Sequence, residues 1–287
     1  MKTFDYDAAF SRNIGWVTEA EQARLRQSRV AIGGLGGVGG VHLLTLARLG
    51  IGRFSIADFD TFDIVNFNRQ VGATVHSLER PKIDVLAEMA LAINPEIDLR
   101  AFPMGITTET LDAFLDGADV YVDGLDFFAF DARRMTFKAC EEKGIPVITA
   151  APLGMGAALL VFGPGGMSFE DYFGFAGCDE FEMAIRFLVG LSPAMLQRGY
   201  VADMSRIDLA KHRGPSNIAA CQLCAGVAAV ETLKILLQRG GVRLAPWGSQ
   251  FDAYRMRLKR TWRPLGFRNP LQRFTTALVR KQIISSK

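Results

Sequence analysis

Residues 29–40 read Arg-Val-Ala-Ile-Gly-Gly-Leu-Gly-Gly-Val-Gly-Gly, a short apolar run that passes into glycines. A charge-poor apolar pattern over 38–49 predicts a helix directly after the glycines, and Arg53–Ala57 predicts a second strand that ends at Asp58. The order strand, glycine turn, helix and strand is the first half of a nucleotide-binding βαβ unit. The glycines let the backbone approach a phosphate, and the start of the helix offers that phosphate free N–H groups and the positive end of its dipole.

The glycine turn by itself does not say which nucleotide binds. Gly34, Gly36 and Gly39 satisfy the dinucleotide fingerprint G-x-G-x-x-G. Asp58 lies at roughly the distance where that fingerprint places its acidic residue. On these residues alone, an NAD-type site and another kind of nucleotide site are both open.

The composition is that of an ordinary globular chain: 287 residues, of which 49% are apolar and 22% charged. The uncharged stretch 144–167 is long enough to cross a membrane, but its three prolines and six glycines predict two buried strands with loops. The first residues lack the pattern of a secretion signal. Four cysteines in a chain of this length are typical of a reducing compartment, so we expect a cytoplasmic protein.

The chain alternates predicted strands and helices, which indicates an α/β, Rossmann-like fold with a mostly parallel sheet covered by helices on both faces. The predicted helices are 19–27, 38–49, 81–93, 108–115, 130–143 and 217–238, and the predicted strands are 30–32, 53–57, 97–102, 119–122, 146–150, 157–162, 250–254 and 256–258. Ligands of such sheets bind beyond the carboxyl ends of the strands. The glycine turn, Asp58 and Asp126 all fall at that edge.

Two regions depart from this alternation. Residues 163–216 hold aromatic residues and mixed short helices, and a segment of this length inside a compact domain is typical of a functional loop or lid. Residues 253–287 contain ten Lys or Arg and no Asp or Glu, whereas the remainder has 23 basic and 30 acidic residues. The protein is therefore expected to have an acidic body and a basic tail.

The tail contains one predicted helix, which starts at Pro270. Its apolar residues form a partial stripe: Leu271, Phe274, Leu278 and Ile283. Two interpretations are open. The helix packs on the acidic body of its own or a partner subunit, or it docks an acidic carrier protein or an anionic membrane surface.

The order and spacing of several short motifs over about residues 10–260 resemble the ThiF/MoeB/HesA family, whose members are relatives of ubiquitin-activating enzymes. Each motif is weak alone, but together they are highly specific. The motifs are Ser11-Arg12-Asn13, the glycine turn Gly34–Gly39, Asp58-Phe-Asp60, Asn66-Phe-Asn68-Arg69-Gln70, Pro81-Lys82, Ile93-Asn94-Pro95, and Leu125-Asp126 followed by Asp131-Ala-Arg-Arg134. The resemblance implies an N-terminal arm and helix over 1–28 and an adenylation domain over 29–260 that includes 163–216 as its crossover region. The basic tail over 261–287 lies outside the resemblance.

The resemblance also implies an activity. Such enzymes bind Mg-ATP, transfer AMP to a carboxylate and release pyrophosphate, which gives a poor electrophile a good leaving group. The carboxylate is usually the C-terminal glycine of a ubiquitin-like or sulfur-carrier protein, although peptides and a modified tRNA side chain are also used. Members form homodimers, so we expect a homodimer here. Apart from the tRNA substrate that some members use, we do not expect a nucleic-acid partner.

Four residues receive catalytic roles from the resemblance. Arg69, Lys82 and a magnesium ion would neutralise the phosphates while the carboxylate attacks the α-phosphate. Asp126 would hold the magnesium, a hard ion that takes one or two carboxylates together with phosphates. Arg12 would reach the triphosphate bound by a partner subunit.

The remaining expected contacts are to the nucleotide. Asp58 would accept hydrogen bonds from the ribose hydroxyls, and Asn66 would orient the phosphate or the ribose. Asp60 either contributes to this site or caps a turn. The full set of expected nucleotide-binding residues is Gly34, Gly36, Gly37, Gly39, Asp58, Asp60, Asn66, Asn68, Arg69 and Lys82.

The cysteines depart from the family pattern. Many relatives bind a structural zinc with two Cys-x-x-Cys pairs, but this chain has only the pair Cys221 and Cys224, so zinc is not expected. Some relatives form a thioester on a cysteine of the crossover region, where this chain has Cys178. The acidic residues that follow it, Asp179 and Glu180, raise the pKa of a thiol and disfavour that role. Whether Cys178 takes the acyl group stays open.

Two other functions compete with adenylation. An NAD(P)-dependent oxidoreductase would use the same glycine turn, but it leaves 66–70 and Lys82 without a role. A non-catalytic nucleotide-binding scaffold is disfavoured because Arg69, Lys82 and Asp126 are all present. Neither the motifs nor the composition identify the carboxylate substrate or the acceptor of the activated acyl group.

Overall fold

The computed structural model describes residues 3–285. The strands are β1 (Arg29–Gly33), β2 (Arg53–Ala57), β3 (Asp98–Phe102), β4 (Val120–Asp123), β5 (Val147–Leu153), β6 (Gly156–Phe162), β7 (Trp247–Asp252) and β8 (Arg257–Trp262). The α-helices are α1 (Tyr6–Phe10), α2 (Glu19–Gln27), α3 (Gly39–Arg48), α4 (Lys82–Ile93), α5 (Leu111–Leu115), α6 (Phe130–Lys143), α7 (Phe169–Phe173), α8 (Glu180–Leu191), α9 (Ile218–Leu237) and α10 (Pro270–Ser285). Short 3-10 helices lie at Ser11–Asn13, Ile64–Asn66, Leu196–Tyr200, Met204–Arg206, Leu209–Lys211 and Gly266–Arg268.

Within the described residues, eight strands form one sheet in the order β3-β2-β1-β4-β5-β6-β7-β8. Five strands, from β3 to β5, pair in parallel, and β6, β7 and β8 continue the sheet in antiparallel pairs. The strand order reverses at β1, which lies between β2 and β4, and open α/β sheets bind ligands at the carboxyl edge of such a point. The prediction of an α/β fold with a mostly parallel sheet is confirmed.

Helices cover both faces of the sheet. β1 is buried along its whole length, as expected for an apolar central strand in a covered parallel sheet. α3, α4 and α9 contribute to a core that contains Ile32 and Phe54. α6, α7 and α8 contribute to a second core on the other face, built around aromatic side chains such as Tyr121 and Phe137. These two cores fix the strand ends that carry the candidate site.

α9 is the one helix among residues 3–285 that is long and apolar enough to cross a membrane, judged by length and composition alone. It packs against β5, β6 and α3. Half of its apolar window is buried in the protein. This packing is typical of a core helix.

The last two strands lie a few residues away from their predicted positions. The predicted hairpin used 250–254 and 256–258, whereas the strands are Trp247–Asp252 and Arg257–Trp262, joined by a turn. β8 is the edge strand of the sheet, and it is exposed at nearly every residue. Such a strand has no buried face, so it carries no alternation of apolar and polar residues that would mark its ends.

The tail helix α10 packs against α8 of its own chain. The buried side of α10 contains Gln272, Thr276 and Val279, whereas three members of the predicted stripe are exposed, namely Leu271, Phe274 and Leu278. A threonine can be buried here because the Thr276 Oγ1 donates a 2.8 Å hydrogen bond to the Gln272 carbonyl oxygen. The predicted stripe is therefore not the packed face of the helix, and docking of a carrier protein or a membrane stays a prediction.

Candidate active site

The glycine turn follows β1 and leads directly into α3. Gly34 has φ +79°, a conformation that side chains rarely adopt, and its N–H donates to the Ala57 carbonyl oxygen at 2.8 Å. A Cβ at Gly39 would overlap the Gly34 carbonyl oxygen. These two glycines are thus required by the fold. Gly36 and Gly37 are less constrained: a Cβ at Gly36 would make an ordinary contact at 3.7 Å, and one at Gly37 would make a tight contact with the Cys221 Sγ at 3.2 Å. They leave the turn open to a ligand.

Asp58 joins this turn to the end of β2. Its carboxylate accepts a 2.6 Å hydrogen bond from the Leu35 N–H and a 2.8 Å hydrogen bond from the Asp60 N–H. Burial raises the pKa of the Asp58 carboxyl above its usual value, although these two N–H groups and the charge of Lys82 act in the opposite direction. Each carboxylate oxygen has a second lone pair. Asp58 can therefore still accept a hydrogen bond from a hydroxyl group of a ligand.

Lys82 is the first residue of α4, and its side chain is turned inward. The residue is only 6% exposed, and its Nζ lies 2.9 Å from Asp60 Oδ2. The backbone holds the same pair together, because the Lys82 N–H donates to the Asp60 carbonyl oxygen at 2.9 Å. Asp60 thus positions the lysine instead of capping a turn, the alternative considered in the sequence analysis. A buried ammonium group with one carboxylate partner is well suited to meet a second anion.

Residues 66–70 bring Arg69 beside the glycine turn. A Cβ at Gly37 would lie 3.6 Å from the Arg69 side chain, and the Arg69 Nη1 donates to the Val65 carbonyl oxygen at 3.0 Å. The Asn68 Oδ1 accepts a 3.1 Å hydrogen bond from Arg69 Nη1, and the Asn68 Nδ2 donates to the Ser216 carbonyl oxygen at 2.9 Å. It ties this segment to the chain that precedes α9.

Asn66 and Gln70 are the buried members of the same segment. The Asn66 Oδ1 accepts a 3.0 Å hydrogen bond from the Asp63 N–H, so this side chain stabilises a turn. Its role toward a nucleotide stays a prediction. Gln70 lies next to Gly36, and among the described residues its buried Oε1 has no hydrogen-bond partner. A buried polar atom without a partner is costly, which makes Gln70 a further residue that a ligand could satisfy.

Two aspartates lie at the carboxyl end of β4, Asp123 within the strand and Asp126 after it, and the structure gives them different environments. Asp123 is buried; its Oδ2 lies 2.9 Å from Arg133 Nε and accepts a 3.0 Å hydrogen bond from Thr149 Oγ1. Asp126 is exposed, and its Oδ1 accepts a 3.0 Å hydrogen bond from the Phe128 N–H. Asp126 is thus the carboxylate at this strand end that a magnesium ion could reach.

The residues around Asp126 suit magnesium better than a metal held by protein alone. Over 3–285, no group of three or more His, Cys, Asp or Glu side chains is placed to hold a metal ion. Magnesium commonly binds through one or two carboxylates plus the phosphates of a nucleotide. A single exposed carboxylate just beyond the end of β4 fits that kind of site.

Arg133 belongs to the motif 131–134, but the sequence analysis gives it no role of its own. Its side chain is only 2% exposed. The Nη2 donates to the carbonyl oxygens of Leu125 and Asp126, each at 2.9 Å, and the Nη1 donates to that of Phe127 at 3.3 Å. Arg133 therefore fixes the loop that carries Asp126. The available signal is its spacing, three residues after Phe130 on the apolar side of α6.

Arg12 does not join this group within one chain. It lies in the 3-10 helix Ser11–Asn13, and Asn13 Nδ2 donates to the Leu49 carbonyl oxygen at 3.3 Å. Leu49 caps the C-terminal end of α3, whereas the glycine turn lies at its N-terminal end. A ten-residue helix is about 15 Å long. The structure thus places Arg12 far from the glycine turn of its own chain.

The four cysteines are free thiols. Cys140, Cys221 and Cys224 are buried, whereas Cys178 is partly exposed between α7 and α8. Burial raises the pKa of the Cys178 thiol; the charge of Arg186 opposes this shift, and nearby carboxylates including Glu182 and Asp179 add to it. A raised pKa reduces the thiolate fraction and with it the nucleophilicity of the thiol.

The strand order, the glycine turn at the point where it reverses and the charges along the same edge define an α/β protein of the Rossmann-like, nucleotide-binding class. The model of the ThiF family matches residues 10–270, and the chain belongs to this family.

Similar proteins have named activities. The tRNA threonylcarbamoyladenosine dehydratase of Bacillus subtilis (strain 168) is 37% identical over 150 residues, which cover 52% of this chain and 57% of that protein. The sulfur carrier protein ThiS adenylyltransferase of Escherichia coli (strain K12) is 36% identical over 143 residues, which cover 50% of this chain and 56% of that protein. The chain thus spans a little over half the length of these two relatives.

Solved structures share the fold. Escherichia coli MccB in complex with AMPCPP and MccA aligns with a TM-score of 0.67 at 20% identity, covering 93% of this chain and 75% of that chain. At this level of identity the likeness concerns the fold alone.

Proposed function

We propose that the protein is a Mg-ATP-dependent adenylyltransferase that transfers AMP to a carboxylate and releases pyrophosphate. The observation that carries this proposal is a set of contacts at the glycine turn. Arg69 lies beside Gly37, and the buried Lys82 pairs with Asp60, whose N–H donates to the Asp58 that binds the turn. The exposed Asp126 follows Leu125, which lies beside Gly34. An NAD-dependent enzyme also binds a pyrophosphate group, but hydride transfer leaves the phosphates unchanged, so it does not require magnesium or cations that neutralise developing phosphate charge. The adenylyltransferase activity named for a relative in the ThiF family supports the same conclusion.

The proposed chemistry assigns one task to each group. The glycine turn and the N-terminus of α3 bind the phosphates of ATP. A carboxylate oxygen of the second substrate attacks the α-phosphorus, the bond to the bridging oxygen of pyrophosphate breaks, and an acyl adenylate forms. Lys82 and Arg69 neutralise the charge that develops on the phosphate oxygens. Asp126 would hold magnesium, which supplies further neutralisation when bound.

For the substrate, we propose the C-terminal carboxylate of a ubiquitin-like or sulfur-carrier protein or of a peptide. The sulfur carrier named for one relative and the MccA bound in the MccB structure support this class. The threonylcarbamoyladenosine side chain of tRNA is the second candidate, and the 37% identity with the dehydratase favours it.

We place the reaction in the cytoplasm, on the basis of the free cysteines.

The experiment that tests the proposal is ATP–pyrophosphate exchange. Exchange should require magnesium and one of three added substrates: a sulfur-carrier protein, a peptide with a free C-terminus, or tRNA bearing threonylcarbamoyladenosine. Calorimetry with AMPCPP should show binding that NAD cannot displace. Preferential binding of NAD would refute the proposal. If AMPCPP binds but none of the three substrates supports pyrophosphate exchange, the result would favour a non-catalytic nucleotide-binding scaffold.

We also propose a homodimer in which Arg12 serves the site of the partner subunit. The position of Arg12 at the far end of α3 supports this, since the residue is too distant to serve its own chain. Light scattering should give twice the mass of the 31.5 kDa chain. Mixed Arg12→Ala and Lys82→Ala subunits should regain part of the activity, because a hybrid dimer contains one intact site. An inactive mixture with demonstrated subunit exchange would contradict the role in trans.

A further inference from the structure

A cavity of about 430 Å³ lies between α8 and α10, and arginines dominate its lining. These are Arg186 from α8, Arg268 from the turn before α10, and Arg273 and Arg280 from α10 itself. None of these residues belongs to the glycine-turn site. The volume is in the range of pockets that bind small molecules.

The charges around this cavity do not balance. Glu182 is shared, since its Oε1 lies 2.6 Å from Arg186 Nε and its Oε2 lies 2.6 Å from Arg280 Nη2. Asp171 approaches Arg268 only to 3.5 Å. Within residues 3–285, the side chain of Arg273 has neither an ion pair nor a hydrogen bond. Four guanidinium groups thus face two carboxylates, and the site carries an excess of positive charge.

One of the four guanidinium groups is held rigidly in place. The Arg186 side chain is only 17% exposed, and its Cζ lies 3.5 Å from the centroid of the Phe267 ring. Its Nη1 also donates a hydrogen bond to the Gly174 carbonyl oxygen. A stacked and hydrogen-bonded guanidinium loses little further freedom when it binds an anion. Arg268 and Arg273, which are exposed, can close on the same anion from the mouth of the cavity.

We propose that this cavity binds a small anion that bears phosphate groups. Planar guanidinium groups recognise phosphate oxygens through paired, charge-assisted hydrogen bonds, and several arginines around one cavity can meet several oxygens at once. The phosphate belongs either to a soluble compound or to a lipid headgroup, two sources of the same chemistry. The proposal does not depend on adenylation, because it uses no residue of the glycine-turn site.

The test uses the full chain and inorganic pyrophosphate as the probe. Calorimetry is carried out on the Lys82→Ala protein, in which binding at the glycine turn is weakened, with and without the pair Arg268→Ala and Arg273→Ala. Both arginines are exposed, so their removal should leave the melting temperature unchanged. Replacement of the two arginines should lower the affinity for pyrophosphate at least tenfold, about the loss expected for one charge-assisted hydrogen bond. The matched control is Lys281→Ala, a basic residue on the same helix that does not line the cavity; it should change affinity by less than about twofold.

A second arm of the test separates the two sources of phosphate. The same proteins are sedimented with phosphatidylcholine vesicles that contain or lack phosphatidic acid. Co-sedimentation that requires phosphatidic acid and both arginines, without binding of pyrophosphate, would assign the site to a lipid headgroup. Pyrophosphate binding without co-sedimentation would assign it to a soluble compound. The proposal is overturned if neither probe binds, or if Lys281→Ala weakens binding as much as the arginine pair does.

Discussion

Cationic side chains cluster in two regions: the edge of the sheet that carries the glycine turn, called the glycine-turn edge, and the surface between α8 and α10, called the α8–α10 surface. The protein holds these side chains differently in the two regions. At the edge, Lys82 and Arg133 are buried, and each lies 2.9 Å from a carboxylate oxygen. On the α8–α10 surface, Arg268 and Arg273 extend into water. A buried charge must be paired, and losing its partner costs several kcal/mol, whereas an exposed pair contributes about 1 kcal/mol or less. The cations of the glycine-turn edge therefore have one fixed geometry, whereas the exposed arginines of the α8–α10 surface can change conformation when a ligand binds.

The two regions should also differ in how strongly salt changes the effect of a substitution. Salt screens exposed charges beyond a Debye length of about 8 Å at physiological ionic strength, but it has little effect on buried pairs. We therefore expect substitutions at the edge to have large effects that salt does not change. Substitutions on the α8–α10 surface should have small effects that decrease as salt is added.

The largest effect is expected at Arg133. Arg133→Met should lower the free energy of unfolding by about 3–5 kcal/mol, because it leaves the Asp123 carboxylate buried without its partner. Urea unfolding at low and high salt measures this, with Arg134→Met as the control. Arg134 is partly exposed and pairs with Glu170, so its loss should cost about 1 kcal/mol or less. Equal losses for the two variants would contradict the contrast between the buried and the exposed arginine.

The next effect is on catalysis rather than stability. Lys82→Ala should reduce the rate of pyrophosphate exchange about a hundredfold, or about 3 kcal/mol, because one charge contact in the transition state is lost. Asp126→Ala should act in the same direction if magnesium binds there. Lys138→Ala is the matched control, since Lys138 is an exposed lysine on α6. A Lys82→Ala rate within threefold of the unmodified protein would show that this lysine is not at the reaction centre.

A third effect is a pH dependence that originates behind the glycine turn. His42 in α3 is 1% exposed, and within the described part of the chain neither ring nitrogen has a hydrogen-bond partner. Burial lowers the pKa of His42 from 6.5 to about 4. Since protonation favours the unfolded chain, the stability is complete above pH 6.5 and decreases as the pH falls toward 4. The loss at about pH 5 is about 2 kcal/mol.

Replacement of the histidine tests this dependence. His42→Leu should remove this part of the difference in unfolding free energy between about pH 7.5 and pH 5, because leucine has no proton to bind. His76→Leu, which changes an exposed histidine in a loop, should leave the difference unchanged. If both variants retain the full dependence on pH, the acid sensitivity comes from other groups.

The two regions also differ in how far the sequence predicts them. Gly34 and Gly39 could be identified because their roles are local: one adopts a positive φ, and the other contacts the same turn. The role of Arg133 depends on three carbonyl groups of a loop six to eight residues earlier, so its own helix pattern only hints at burial. Spacing of this kind does not say which polar groups a buried arginine will meet.

The packed face of α10 is the second feature that the sequence could not give. Apolar periodicity favours the side that carries Leu271 and Phe274, yet the buried side contains Gln272 and Thr276. The choice depends on α8, whose Glu182 meets Arg280 across the interface. Contacts between elements that are about a hundred residues apart leave no local pattern in either element.

The smallest effect on stability is expected for Arg280, at the interface between α8 and α10. This effect tests whether the α8–α10 surface differs from the glycine-turn edge in rigidity. Arg280→Ala removes a pair in which the arginine is half-exposed, but Glu182 keeps its second partner, Arg186. The free energy of unfolding should therefore fall by about 1 kcal/mol or less. The loss should shrink further at about 1 M salt, where the Debye length is about 3 Å. Lys281→Ala, the neighbouring basic residue, should have no measurable effect at either salt concentration. A loss at Arg280 that exceeds about 3 kcal/mol and persists at high salt would mean that this pair behaves like Asp123 and Arg133, and that the α8–α10 surface is as rigid as the edge of the sheet.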